Sequence, residues 1–135
     1  MKQISFEKIK EILTNSNEVI FGYVFGSGRS GEISPISDLD IAIYLKPELA
    51  KEEKKRIIEE IREKLEKEFD LFDKVDVVLL NQELPFLLLK EIVYQGILVF
   101  SRNDDWRKLW EAKMISLWLD WQYYQKAYEK AILEE

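Results

Sequence analysis

The fold is decided by residues 19–45, whose sequence is VIFGYVFGSGRSGEISPISDLDIAIYL. The stretch opens with β-branched and aromatic residues, which predict a buried strand over 19–25 that stops at Gly26. A glycine-bearing turn follows directly, and after a loop that contains a proline the run 38–45 predicts a second strand. These two strands belong to the expected sheet.

Helical patterns flank these strands and alternate with further short strands. Isoleucine and leucine at three- and four-residue spacing predict helices over 4–14 and 48–69. Farther along, the sequence predicts a third strand at 75–80, a short apolar helix at 83–94, a fourth strand at 96–100 and a final helix from residue 103 to the end. Because the links are short, we expect an α/β (α+β) fold: a small mixed β-sheet flanked by helices, with a long C-terminal helix.

Length and composition are typical of one globular domain. The chain has 135 residues, of which 47% are hydrophobic and 34% are charged. We therefore expect one domain over 1–135, with a motif core at 18–80 and a helical C-terminal part at 103–135. No apolar run approaches the roughly 20 residues that cross a bilayer, and the start lacks a signal-peptide pattern. A cytoplasmic location without a membrane partner is expected.

The missing residue types restrict the chemistry. The chain has no cysteine and no histidine, which excludes disulfides, thiolate metal sites, the usual zinc ligand and the usual general base. Catalysis would then depend on carboxylates, hydroxyls, lysines or a hard metal ion. A net charge of −6 argues against a large phosphate-backbone footprint, so nucleic acid is not expected as a direct substrate. A compact ligand or a protein partner is favoured.

Carboxylates mark two of the predicted strands. Asp38 and Asp40 are two residues apart, and the strand period of two would place both on one face. Adjacent negative charges repel each other unless a cation lies between them, and hard oxygen ligands suit Mg²⁺. Asp76 stands in the third predicted strand, where an ionised carboxylate is unfavourable without a partner. If that strand neighbours the second, the three carboxylates would hold two Mg²⁺ ions.

A Gly-Ser pair ends the first predicted strand. Gly26 and Ser27 would leave backbone N–H groups and a hydroxyl free to meet phosphate oxygens. Taken singly, a Gly-Ser pair is usually a plain turn, and an Asp-x-Asp pair is often a solvated edge or a cap. The joint pattern is more specific, because Gly-Ser-x10-Asp-x-Asp spans one strand end and the next strand, and a third Asp stands in a later strand.

This arrangement resembles the DNA polymerase beta-like nucleotidyltransferase superfamily, and the small size resembles its minimal nucleotidyltransferase branch, the MNT-type antitoxins. The resemblance covers residues 18–80, and its matching pieces are Phe25-Gly26-Ser27, Ser37-Asp38-Leu39-Asp40-Ile41-Ala42-Ile43 and Val75-Asp76-Val77-Val78. It implies a nucleotidyltransferase fold.

The resemblance also implies roles for the matching residues. Gly26 and Ser27 match positions that contact the triphosphate, Asp38 and Asp40 match the two-metal ligands, and Asp76 matches the carboxylate that serves the catalytic metal. In antitoxins of this type ATP is the donor, and the acceptor is a tyrosine of a partner HEPN-domain ribonuclease toxin, which adenylylation silences. This sequence departs from the pattern after Gly-Ser, where many relatives have an aromatic or basic residue at the position of Gly28 and a basic residue at the position of Ser30.

The basic residue of this segment is Arg29, which lies between those two positions. The sequence leaves open whether its guanidinium contacts phosphate or is a solvated loop charge, so we do not assign it to the predicted site.

Two other functions stay open at this stage. A nucleotidyltransferase that acts on a small molecule shares these motifs, although such enzymes usually add a sizeable acceptor domain. A non-catalytic antitoxin would bind and mask the toxin, but its unpaired buried carboxylates would cost stability without a role. The predicted C-terminal helix adds a further feature, since its aromatic residues lie on more than one side. It is expected to be mostly core, with part left to dock a partner or a second copy.

Overall fold

The computed structural model describes residues 2–134. Its elements in chain order are β1 (Lys2–Gln3), α1 (Phe6–Thr14), β2 (Val19–Phe25), a 3₁₀ turn (Gly26–Ser30), β3 (Glu32–Ile33), β4 (Leu39–Leu45), α2 (Lys51–Phe69), β5 (Val75–Leu79), α3 (Phe86–Lys90), a π turn (Glu91–Gln95), β6 (Ile97–Ser101) and α4 (Asp104–Leu133). We call the 3₁₀ turn the Gly-Ser turn. The final residue of the predicted C-terminal helix lies outside the described residues.

The main sheet has four strands in the order β5-β4-β2-β6. Strands β4 and β5 are parallel, whereas β2 pairs antiparallel with both β4 and β6, so the predicted mixed sheet is confirmed. The four predicted strands are present with shifts of at most one residue at their ends. A second, two-stranded sheet of β1 and β3 was not predicted, because strands of two residues are too short to show a periodic pattern.

One face of the sheet is covered by α1 and α2. The odd-numbered residues of β4 are fully buried there, as the strand period of two requires. The apolar stripe of α2 packs against them through Ile57, Ile61, Leu65 and Phe69. Helix α1 begins at a Ser5 N-cap, whose hydroxyl accepts a hydrogen bond from the Lys8 amide at 3.3 Å. This layer leaves the even-numbered residues of β4 facing the other side.

The opposite face is covered by α3, the π turn and the first half of α4. Its core is aromatic: the Phe21 ring lies 4.9 Å from the Tyr44 ring and 5.3 Å from the Trp110 ring, measured between centroids. The predicted helix at 83–94 is shorter, because Pro85 caps it and it widens into the π turn after Lys90. Ile92 in that turn is fully buried in this second core.

Helix α4 begins at Asn103, whose side chain accepts a hydrogen bond from the Trp106 amide at 3.0 Å. Trp110 and Trp118 of this helix are buried, whereas every residue from Tyr123 to Glu134 is exposed. The expectation of a mostly buried aromatic helix is therefore confirmed for its first half alone. None of the helices within residues 2–134 combines the length and the apolar character that a bilayer crossing requires.

Candidate active site

The Gly-Ser turn begins where β2 stops. Gly26 has φ +68°, a left-handed conformation that ends the strand and that residues with a Cβ adopt at a cost. The turn closes at Gly31, whose N–H donates to the carbonyl of Gly28 at 3.0 Å. The Ser27 hydroxyl donates to the carbonyl of Asp38 at 3.4 Å. The two pieces of the Gly-Ser-x10-Asp-x-Asp pattern therefore lie side by side.

Asp40 lies directly over this turn. Phe25 and Asp40 are paired in the antiparallel ladder, so the chain leaves β2 beside the Asp40 carboxylate. A methyl group on Gly26 would come within 2.5 Å of Asp40 Oδ2, which is closer than side-chain carbons approach neighbouring atoms. The glycine is therefore needed for space as well as for its backbone conformation.

Asp76 joins this site from β5. The parallel pairing places Asp76 beside Asp40 in register, and side chains in register lie on the same face of neighbouring strands. The expected proximity of the second and third strands is confirmed. The expected burial of Asp76 is wrong, because β5 is an edge strand and its second residue is exposed to water. Asp38 is also exposed, since β4 begins at Leu39, one residue later than expected.

The charge of the site is concentrated around Asp40. Its pKa is raised from 3.8 to about 6, first by burial and then by the negative charges of Asp76, Asp38 and Glu91. Glu91 begins the π turn and was not singled out in the sequence. The available signal was weak: it is the one acidic residue between positions 84 and 103. Its approach to Asp40 follows from the path of the chain after β5, which local patterns do not encode.

The carboxylate oxygens of the site suit a hard cation, although they do not form a complete coordination sphere. Among residues 2–134, no three acidic side chains converge closely enough to hold an ion together. The arrangement consists of two carboxylates in register, Asp40 and Asp76, with Asp38 at the start of β4. Oxygen ligands on two rigid strands fit the preference of Mg²⁺ for a few carboxylates completed by substrate phosphates and water. The site thus combines a glycine-bearing turn with carboxylates.

Residues 7–105 match the family described as Polymerase beta, Nucleotidyltransferase. The chain belongs to this nucleotidyltransferase family. The match includes the Gly-Ser turn and the three aspartates of the site, and it ends at the start of α4. No curated protein sequence matches the chain significantly.

Solved structures similar to this nucleotidyltransferase come from toxin–antitoxin systems. A toxin–antitoxin structure with AMP-PNP is 25% identical, with a TM-score of 0.72 and coverage of 96% of this chain and 99% of that chain. A second structure contains a tri-AMPylated Shewanella oneidensis HEPN toxin in complex with an MNT antitoxin, at 25% identity, TM-score 0.65 and 95% coverage of both chains. The predicted resemblance to MNT antitoxins is confirmed, and so is the fold.

A third structure supports the fold alone. It is a mutant of a toxin–antitoxin pair named MntA-HpeT, 24% identical, with a TM-score of 0.73 and coverage of 96% of this chain and 99% of that chain. Coverage of this extent includes most of α4 as well as the sheet. The nucleotidyltransferase therefore shares with this chain a fold that includes the long C-terminal helix.

Proposed function

We propose that this nucleotidyltransferase is an antitoxin that transfers AMP from ATP to a tyrosine hydroxyl of a partner HEPN-domain ribonuclease toxin and so neutralises the toxin. The observation that carries the proposal is the juxtaposition of a Gly-Ser turn, Asp40 and Asp76 at one end of the sheet. Two relatives support the choice of donor and acceptor, one crystallised with AMP-PNP and one with an AMPylated HEPN toxin.

In the proposed reaction the acceptor oxygen forms a bond to the α-phosphorus while the bond from that phosphorus to the pyrophosphate oxygen breaks. The backbone amides of the Gly-Ser turn and the Ser27 hydroxyl would hold the leaving phosphates. The hydroxyl proton would leave to water at the exposed edge of the sheet beside Asp76. Transfer of this kind depends on positioning and charge neutralisation more than on a protein base, which agrees with a chain that has no histidine.

Magnesium is the proposed cofactor, and two ions are expected. Asp38 and Asp40 would hold both ions and Asp76 would hold the ion at the acceptor. Bound there, the ions would supply positive charge that offsets the triphosphate and would lower the pKa of an attacking hydroxyl. The raised pKa of Asp40 supports a cation site, because the carboxylate stands among negative charges that a cation would offset.

The two alternative functions differ in how well the structure agrees with them. A non-catalytic masking antitoxin is no longer disfavoured by the cost of keeping three buried carboxylates, since Asp38 and Asp76 are exposed and Asp40 alone is half-buried. It is opposed by the match of the whole site to an enzyme family. A nucleotidyltransferase for small molecules remains the second candidate, and the transfer assay below separates the two by its acceptor.

Asp76→Ala tests the proposed reaction. The variant should keep its affinity for Mg·AMP-PNP within about threefold, because Asp38, Asp40 and Ser27 remain, while single-turnover AMP transfer to a HEPN-domain protein encoded beside this chain falls at least about 100-fold. Calorimetry measures the affinity, and transfer of labelled AMP measures the rate. Transfer by the variant at the wild-type rate would remove Asp76 from the site. No transfer by the wild type would contradict the proposed acceptor, as both the masking antitoxin and the small-molecule enzyme require.

We further propose that the toxin docks on the exposed half of α4. Apolar residues recur along one stripe of this helix at alternating spacings of four and three, namely Trp110, Met114, Leu117, Trp121, Tyr124 and Tyr128. The first members pack inside the domain, and the last two extend beyond it with about two thirds of their surface exposed. An isolated helical end of this length is marginal in water, so a partner is expected to cover it.

The residue types favour a separate partner over a second copy. Self-associating helix pairs carry Leu, Ile or Val along such a stripe, whereas the two members of this stripe that extend beyond the domain are Tyr124 and Tyr128. Tyrosine and tryptophan are enriched in interfaces between different proteins, where they act as anchors. The structural alignment with the similar chains from toxin–antitoxin structures also includes most of this helix.

Replacement of Tyr124 and Tyr128 by serine should weaken toxin binding at least about tenfold, because two anchor side chains are lost, and should leave Mg·AMP-PNP affinity unchanged. The matched control is Tyr123→Ser, which removes an equally exposed tyrosine that lies off the stripe. Binding is measured by calorimetry with the HEPN-domain partner. Equal losses of toxin binding in the double variant and the control would contradict this docking surface. It would also be contradicted if the double substitution dissociated a homodimer of this chain and left toxin binding unchanged.

A further inference from the structure

Arg29 links two segments that are far apart in the chain. Its Nε donates to the carbonyl of Gly26 at 2.9 Å, and its Nη1 donates to the carbonyl of Gln95 at 3.4 Å. Gly26 begins the Gly-Ser turn, and Gln95 ends the π turn that carries Glu91. One planar guanidinium therefore joins the turn expected to hold phosphates to the turn that approaches Asp40.

Both ends of this link adjoin closely packed atoms. At one end, Gly26 has no room for a methyl group beside Asp40 Oδ2. At the other end, Gln95 is exposed but precedes a closely packed residue, since a Cβ on Gly96 would lie 2.3 Å from the carbonyl oxygen of the fully buried Ile92. A tether between two such points restrains the backbone of the Gly-Ser turn, because shifting Gly26 or Gly96 displaces packed atoms.

The contacts of Arg29 are to main-chain carbonyls and not to the carboxylates. The charges that shift the pKa of Asp40 are those of Asp76, Asp38 and Glu91, and each of them raises it. The guanidinium is thus directed along the backbone of the two turns. Arg29 is exposed to water, yet its guanidinium donates to two main-chain carbonyls, an arrangement that neither interpretation of the sequence included.

We propose that Arg29 is a positioning residue for nucleotide binding: it holds the Gly-Ser turn against the π turn, so that the amides of the Gly-Ser turn face the triphosphate before the nucleotide arrives. The inference rests on the proposed function, in which this turn binds the phosphates of ATP. Preorganised donors bind an anion more tightly because the cost of ordering the loop falls before binding.

Lysine is the informative replacement at this position. It keeps the positive charge, but its compact ammonium lacks the rigid fork that lets one guanidinium donate from two nitrogens in fixed directions. Arg29→Lys therefore separates geometry from charge. Arg102→Lys is the matched control, since Arg102 is another guanidinium clamp, which donates from Nε to the carbonyl of Val19 at 2.9 Å and from Nη2 to the carbonyl of Thr14 at 3.0 Å. This clamp lies at the start of β2, at the opposite end of that strand from the Gly-Ser turn.

The test measures three quantities on both full-length variants. With AMP-PNP and Mg²⁺, calorimetry should give a dissociation constant about five- to tenfold higher for Arg29→Lys and an unchanged one for Arg102→Lys. In the transfer assay, Arg29→Lys should raise KM for ATP by the same factor and leave kcat unchanged, because the carboxylates are intact. In the free protein, hydrogen exchange of residues 26–31 and 91–95 should become faster in Arg29→Lys alone.

Each outcome decides the inference. Unchanged AMP-PNP affinity in Arg29→Lys overturns it, and so does a lowered kcat with an unchanged KM, which would make Arg29 part of the reacting site. If the wild type fails to bind AMP-PNP, the proposed function fails. In that case hydrogen exchange still tests whether Arg29 restrains the two turns. Equal exchange in the wild type and Arg29→Lys would show that Arg29 restrains neither turn.

Discussion

Asp40→Asn should lower nucleotidyl transfer by at least about 1,000-fold and, at the same time, raise the melting temperature of the free protein at pH 8. We expect activity to be lost because Asp40 is the carboxylate that lies over Gly26 and in register with Asp76. Stability should rise because the substitution removes a half-buried negative charge that stands among three others. Loss of function and gain of stability in one variant are expected where charge is concentrated for catalysis.

The stability gain should depend on pH in a defined direction. The pKa of Asp40 is about 6 in the folded protein and 3.8 as its ordinary value, so the folded state binds the proton more tightly than the unfolded state. The free energy of unfolding therefore falls as the pH rises from about 4 to about 6, and the lost stability stays lost above pH 6. In the absence of divalent ions, the melting temperatures of wild type and Asp40→Asn should converge at pH 4 and separate by pH 8.

Asp120→Asn serves as the control for this prediction. Asp120 is an exposed carboxylate on α4, distant in sequence from the carboxylates that surround Asp40. Its substitution should alter the melting temperature little at either pH. A difference between wild type and Asp40→Asn that is the same at pH 4 and pH 8 would contradict the electrostatic explanation. Full transfer activity in Asp40→Asn would contradict its proposed role as a metal ligand.

The sheet was predictable because each of its four strands shows a recognisable pattern within a short stretch of sequence. The run 19–25 is apolar throughout, since both faces of β2 are buried, and in β4 the partly exposed residues Asp40 and Tyr44 stand between buried ones. Helix α2 was likewise predictable from a short stretch of sequence, because its isoleucine and leucine residues recur at helical spacing. The proximity of Asp76 to Asp40 was predictable on one condition, that β5 pairs with β4, and the parallel register satisfies it.

Other features of the site depend on contacts between distant segments and were not predictable. Glu91 looks like one polar residue in an apolar helix, and its approach to Asp40 depends on the π turn. The two carbonyls that Arg29 contacts are separated by 69 positions in the chain, Gly26 and Gln95, so no local pattern relates them. The exposure of Asp76 was misjudged because the sequence does not tell an edge strand from a central one.

Gly26→Ala should lower transfer at least about 100-fold and destabilise the protein by roughly 1–2 kcal/mol. The destabilisation comes from a φ of +68°, which residues with a Cβ adopt at that cost. The loss of activity comes from the added methyl group, which would lie 2.5 Å from Asp40 Oδ2 and must push the carboxylate or the turn aside. A shift of about 1 Å at a reacting site is enough to cost two orders of magnitude. Single-turnover transfer and denaturant unfolding measure the two effects separately.

Gly31→Ala provides the control that divides backbone strain from the collision with Asp40. Gly31 closes the same turn with φ +82°, yet the nearest atom to a Cβ built there is the carbonyl oxygen of Ile4 at 3.7 Å, an ordinary contact. The two variants should therefore lose similar stability, since they share a left-handed conformation. If both also lost activity equally, the conformation of the turn would govern transfer. Loss confined to Gly26→Ala, which we expect, would show that the glycine is required because the Asp40 carboxylate occupies the space where its side chain would be.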